Sequence, residues 1–224
     1  MGDCDVKLPG AIIERLQREV DWKSANATER ATALLRQALL EYVRAYLAGG
    51  NRALAEYQDK KQAVRLEEEF RGLLGNSPYL YEYVPESHRY LQDFPQGKPA
   101  GAEDFIYWSL EKFGLKPVLS VTHVTMHRRP SGPVLIASKQ IYGSHYFDAS
   151  LALTALIEGE DASGRPGFYL LYLNRSRADA LRGGFSGLKR SLVGGKVNGG
   201  MKENMRLTKQ RLENGAGSVG FKPE

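Results

Sequence analysis

The sequence predicts an α+β fold: a helical N-terminal half, then an antiparallel β-sheet packed by a long C-terminal helix. Three observations carry this. Apolar residues recur at three- and four-residue steps through much of the first hundred positions. After Lys116-Pro117 the period changes to two, as strands require. After Asn174 it returns to helical spacing in a stretch dotted with glycine.

Residues 9–20 carry the apolar stripe Ile12, Ile13, Leu16 and Val20, with Pro9 placed to start a helix. The next helix is capped by Asn26 or Thr28 and presents Ala31, Leu34, Leu35, Ala38, Leu39, Tyr42, Val43 and Tyr46. Gly49-Gly50 ends it. Shorter helices are expected over 52–58 and 64–74, the second stopped by Gly75-Asn76-Ser77-Pro78. Residues 78–100 are aromatic and turn-rich, with a short helix after Pro85. Residues 102–113 read as helical, with Phe105, Ile106, Trp108 and Leu110 on the apolar face and Gly114 as C-cap.

Strands are expected over 118–128 and 134–142, joined by the turn Arg129-Pro130-Ser131-Gly132-Pro133, with Gly143 at a bulge or bend. A third runs over 144–157. One face carries His145, Phe147, Ala149, Leu151, Leu153, Ala155 and Ile157, the other Tyr146, Asp148, Ser150, Ala152 and Thr154. A polar loop leads to a fourth strand, 167–174. The final helix spans Leu181 to Leu212. Each of its internal glycines costs about 1 kcal/mol of helix propensity, so packing or a ligand must compensate. Residues 1–116 thus form a helical region, and 117–213 a sheet and helix sharing a core with it. Residues 214–224 form a disordered tail.

Composition is that of an ordinary globular chain, 42% hydrophobic and 25% charged. No apolar run reaches bilayer-spanning length. A soluble protein is expected, periplasmic if an upstream signal was removed, otherwise cytoplasmic. The lone Cys4 has no internal disulfide partner. From Leu171 to Glu224, eleven basic residues face four acidic ones, a net +7. That leaves −2 for the rest of a chain whose total is +5. Such a basic stripe suits an anionic surface, although a solvated helix face explains it as simply.

No constellation carries strong catalytic chemistry. His123 and His127 share strand parity and His145 lies on a nearby strand, but their spacing matches no zinc signature. Ser144, His145 and Asp148 are the residue types of a hydrolase triad, yet His145 and Asp148 fall on opposite faces of a regular strand and there is no GxSxG elbow. The glycines of 182–189 are not a GxxxxGK[ST] loop and no βαβ unit surrounds them. Tyr169 and Tyr172 alternate near Arg175 and Arg177 without an RNP-type motif. What is left is architecture: a curved sheet whose face mixes large and small residues, opposite a helix whose glycines leave room and whose methionines adapt.

The strand 167–174, the run Gly183-Gly184-Phe185-Ser186-Gly187-Leu188-Lys189-Arg190 and the run Met201-Lys202-Glu203-Asn204-Met205 look like the last strand and lid-backing helix of one known fold. Through them, residues 118–212 resemble the START-like, helix-grip superfamily of lipid and polyketide binders. The resemblance implies non-covalent binding of an apolar ligand, with catalysis in only some members.

The expected function is a non-catalytic carrier or sensor for an apolar, lipid-like ligand. The ligand-binding residues are His145, Phe147, Ala149, Leu151, Tyr172, Gly184, Leu188, Met201 and Met205. No cofactor, metal or catalytic residue is expected. The alternative is a protein-protein interaction module of a larger bacterial assembly. An anionic membrane surface is a further partner, and nucleic acid at the basic helix is the least favoured.

Overall fold

A computed structural model describes residues 6–58, 62–113, 116–129, 132–160, 163–178, 202–203 and 205–212. The chain divides into two compact units, Met1–Asp179 and Ala180–Glu224. The first is α+β. It opens with α1 (Gly10–Glu19) and the long α2 (Ala27–Gly49), followed by a 3-10 turn, Gly50–Ala53. A two-stranded ribbon, β1 (Glu56–Tyr57) and β2 (Val64–Arg65), precedes α3 (Leu66–Gly75), α4 (Pro78–Tyr83) and α5 (Pro85–Asp93). Prolines at the first positions of α4 and α5 start both, where a missing N–H costs nothing.

Five strands then pair in sequence order as an antiparallel meander: β3 (Ala102–Phe113), β4 (Lys116–Arg128), β5 (Val134–Gly143), β6 (Phe147–Glu160) and β7 (Pro166–Ala178). Register assigns the faces. Asp104 opposes Thr125, Thr125 opposes Ala137, Ala137 opposes Leu153, and Leu153 opposes Leu173, all on the side of the helices. One core cluster joins Phe70, Leu73 and Leu74 of α3, Leu80 of α4 and Leu91 of α5 to Leu135, Ala137, Ala149, Leu151 and Leu153 of the sheet. A second joins Tyr46 of α2, Tyr57, Leu66, Tyr90 and Phe94 to Val121, Ile141 and Tyr142. At the N-terminal end, the buried Lys7 ammonium meets the Asp148 carboxylate at 2.8 Å, tying that segment to β6.

The helical region ends at Asp93, not near residue 116. Residues 102–113, expected as a helix, form β3 and pair along their whole length with β4, from Ala102↔His127 to Phe113↔Lys116. The run Phe105-Ile106-Tyr107-Trp108 fits both periods locally. Its aromatic and β-branched side chains favour a strand once a partner strand is present. The helix expected over 52–58 is a 3-10 turn and a two-residue strand, and that over 64–74 starts at Leu66 after β2. The strand expected from residue 144 begins at Phe147. Residues 144–146 form a bend in which Tyr146 adopts φ 62°, a left-handed conformation rare for an aromatic residue. A register shift between Phe147 and Ala149 breaks the expected alternation, so Asp148 points inward to Lys7. Of the long helix expected over 181–212, residues 202–203 and 205–212 are helical. The remainder lies outside the described residues, and a long C-terminal helix is not borne out.

Candidate functional site

Two features of the first unit gather polar or exposed residues: a network in the interior and the outer face of the sheet. The first is a buried network centred on Asp104. β3 places this carboxylate on the helix side, beside Thr125 and His123 of β4. Oδ1 accepts from the Thr125 hydroxyl at 2.7 Å and from His123 Nε2–H at 3.0 Å. Oδ2 accepts from the Tyr90 hydroxyl at 2.7 Å and from Lys98 Nζ at 2.8 Å. With Nε2 donating, Nδ1 of His123 accepts from the Tyr46 hydroxyl at 2.9 Å. Lys139 Nζ donates to the Tyr46 oxygen at 3.4 Å and to Asn51 Oδ1. The Asn51 amide is itself held by the carbonyls of Leu91 and Gln92. A chain of hydrogen bonds therefore runs from the buried Lys139 to Asp104 and out to the surface residue Lys98.

Aromatic rings enclose this chain. Phe94 stacks on Tyr46 at 4.9 Å and tilts against His123 at 4.6 Å. The Lys139 ammonium sits 3.9 Å from the Phe70 ring centre. Burial holds the Lys139 amine well below the usual lysine range, with Glu67 pulling weakly the other way. Burial also lowers His123, against the pull of Asp104. For Asp104, burial works upward, but the bonds from Lys98, Thr125 and Tyr90 outweigh it and hold the carboxyl below its ordinary value. Tyr46, Tyr90, Leu91, Phe94, His123, Thr125 and Lys139 pack together with no room for a water molecule between them. Every carboxylate lone pair is engaged, so the arrangement anchors α2, α5 and three strands to one another.

The second feature is the outer face of the sheet, opposite the helices. Its central strands mix small or hydroxyl side chains, Thr122 on β4, Ser138 on β5 and Ser150, Ala152 and Thr154 on β6, with the larger Val124 and Met126 on β4 and Ile136 and Gln140 on β5. The edge strands carry large ones, Phe105 and Tyr107 on β3 and Phe168, Leu170 and Tyr172 on β7. The pairs Phe105↔Val124↔Ser138↔Ala152↔Asn174 and Glu103↔Met126↔Ile136↔Thr154↔Tyr172 show that the two aromatic rims lie at diagonal corners. At about 4.8 Å per strand the two edge strands stand roughly 19 Å apart, and the diagonal offset sets the aromatic rims further apart than that. The floor is sheltered, with Val124 only 4% exposed, while Phe105 is 53% and Tyr172 38% exposed. Part of the floor is polar: Gln140 donates to Ser120 at 2.9 Å, and the Ser150 and Ser176 hydroxyls meet at 2.8 Å.

The expected site residues separate between these regions. Ala149 and Leu151 are buried beneath the helices in the dry core. Tyr172 stands on the opposite face, so parity keeps it from joining them. His145 and Phe147 are half-buried at the 144–147 bend, the His145 ring 6.0 Å from Tyr146. Met205 lies on the 205–212 helix of the second unit. Gly184, Leu188 and Met201 lie outside the described residues. His127 bonds Ser87 at 3.2 Å and does not converge with His123 and His145. Among the described residues no group of three or more His, Cys, Asp or Glu side chains is placed to hold a metal. Ser144 accepts from the Leu119 amide, away from any triad with Asp148. The Asp104 network was not read from sequence. Lys139 gave a signal, since it shares strand parity with Leu135, Ala137 and Ile141; Asp104 gave none while its segment read as a helix.

No protein family matches the chain, and no curated protein or solved structure matches it.

Proposed function

We propose that the chain is a non-catalytic binding module for an elongated, apolar, lipid-like ligand lying across the outer face of the sheet. The observation that supports this is the make-up of that face: a floor that mixes small and hydroxyl side chains with Val124, Met126 and Ile136, between edge strands that carry exposed aromatic ones. A twisted antiparallel sheet built this way forms a trough with adaptable walls. Val124, Met126, Ile136 and Ala152 suit an acyl or polycyclic body, and the hydroxyls of Thr122, Ser138 and Ser150 suit a polar head. The likeness of residues 118–212 to START-like lipid binders belongs to the same proposal. Of the residues first expected, Tyr172 stays in the site. Ala149 and Leu151 leave it, since they are packed beneath α3. The saturated, closed network around Asp104 gives no support to catalysis.

Incubation with phospholipid vesicles followed by native mass spectrometry tests this. The expected result is a protein carrying one lipid, and an Ala152→Trp variant that keeps its circular dichroism and comes out empty. Wild-type protein that stays empty after exposure to phospholipid and free fatty acid would sink the proposal.

A further inference from the structure

Both edges of the five-stranded sheet expose large apolar side chains, on β3 Phe105 to 53%, Trp108 to 72% and Leu110 to 65%, and they differ in the charges set among them. β3 carries Glu103, Asp104, Glu111 and Lys112. Charges of this kind ordinarily guard an edge strand against pairing with another chain. β7 carries no charge from Gly167 to Asn174. Its side chains there are apolar on both faces, with Tyr169, Leu171 and Leu173 toward the helix side and Phe168, Leu170 and Tyr172 toward the outer side. All of these except Leu170 are exposed, Leu171 to 55%. Arg175 and Arg177 lie further along and are engaged by Tyr79 and Glu69. β7 is 13 residues long and stands last in the strand order, so among the described residues nothing pairs with its outer edge.

We propose that β7 is a homodimer interface, along which two copies of the chain pair antiparallel about a two-fold axis through Leu171 to form one continuous sheet. The register follows from parity and charge. An axis normal to the sheet keeps each face continuous, so every residue must meet one of its own parity. Centred on Leu171, the axis sets Leu171 against its own copy, Tyr169 against Leu173, and Leu170 against Tyr172. These are the aromatic-aliphatic pairs that stabilise antiparallel sheets. Gly167 falls opposite Arg175, and Arg165 falls opposite Arg177, whose charge Glu69 already balances at 2.9 Å. Centring on Leu170 would bring Arg165 against Arg175, whose guanidinium bonds the uncharged Tyr79 hydroxyl, and centring on Tyr172 would replace the Tyr169–Leu173 pair by Tyr169–Arg175. At roughly 200 Å² per aromatic side chain, the exposed parts of Phe168, Tyr169 and Tyr172 offer about 300 Å² per copy. Leu171, Leu173 and the paired main chain add to this, against the roughly 800 Å² per partner of a standard interface.

Analytical ultracentrifugation of the whole chain, with cysteine cross-linking, tests both the dimer and its register. The wild type is expected to sediment as a dimer, and Leu171→Lys to raise the dissociation constant roughly 30-fold or more by setting two ammonium groups together at the axis. In a Cys4→Ser background, which removes the chain's one native thiol, Leu171→Cys is expected to oxidise to a covalent dimer. Leu173→Cys is not, because the two copies of residue 173 lie about 13 Å apart along the strands. Should Leu171→Lys fail to fold, the two cysteine variants still decide the matter. A wild type that is monomeric at about 100 µM, or equal cross-linking at 171 and 173, would overturn the proposal.

Discussion

Asp104 receives four donors while His123 carries one proton between two partners, and that division of labour sets how the protein responds to acid. Burial holds His123 below its ordinary 6.5. The folded protein therefore binds fewer protons at this site than the unfolded chain once the pH drops below about 6.5. The contribution of neutral His123 is complete above that pH and is lost as pH falls through the lowered folded value. Asp104 is also lowered, so its contribution disappears only in stronger acid, below the ordinary carboxylate value. Scanning calorimetry from about pH 7.5 to 5 is expected to show a falling wild-type melting temperature and a flatter profile for His123→Gln. That variant starts about 1–3 kcal/mol less stable because the Tyr46 hydroxyl and Asp104 each lose a partner. Parallel profiles would mean that His123 titrates as it does in the unfolded chain. At this scale the sequence was only partly legible. Tyr46 read correctly as the buried stripe of α2, but nothing local shows that its hydroxyl would meet a histidine 77 positions away.

Helix ends were legible where glycine or proline marks them. Gly49-Gly50 reads as the stop of α2, and Gly50 adopts φ +66° there. The constraint is double, because a Cβ at Gly50 would run into the carbonyl of Phe94 and the ring of Pro95, which the neighbouring Asn51 amide approaches to bond Phe94 O at 3.2 Å. Gly50→Ala is expected to cost about 2 kcal/mol or more, whereas Gly75→Ala, at a position with nothing within 4 Å and no positive φ, is expected to be neutral or slightly stabilising. Urea denaturation of the two variants checks this, and equal midpoints would contradict it. β3 was illegible for a different reason. Phe105, Ile106, Trp108 and Leu110 satisfy helical steps, yet β4 supplies a partner for each residue from Ala102 to Phe113, and non-local pairing overrides local pattern. β6 shows the reverse case. Its alternation was legible from Ala149 onward, but the register shift before it was not, and that shift alone turned Asp148 inward.

The antiparallel sheet itself was legible, because turn residues and period-two runs recur four times in order after residue 116, and β3 adds the fifth strand. Which of its faces the helices would cover was not. Alternation divides a strand into two faces without saying what packs on either, and here α3, α4 and α5 cover the Ala149–Leu151–Leu153 face first expected to meet the ligand. That reversal moves the proposed site to Thr122, Ser138, Ala152 and Tyr172, and it places the proposed β7 dimer edge beside the trough, with Leu171 on the opposite face from Tyr172. Titration of 15N-labelled protein with a short-chain phospholipid is the direct test of which face binds. Amide shifts are expected to concentrate at Thr122, Ser138, Ala152 and Tyr172 and to leave Phe70, Leu73 and Leu151 unmoved. Shifts centred on Leu151 and α3, or none at saturating lipid, would contradict a ligand on the outer face.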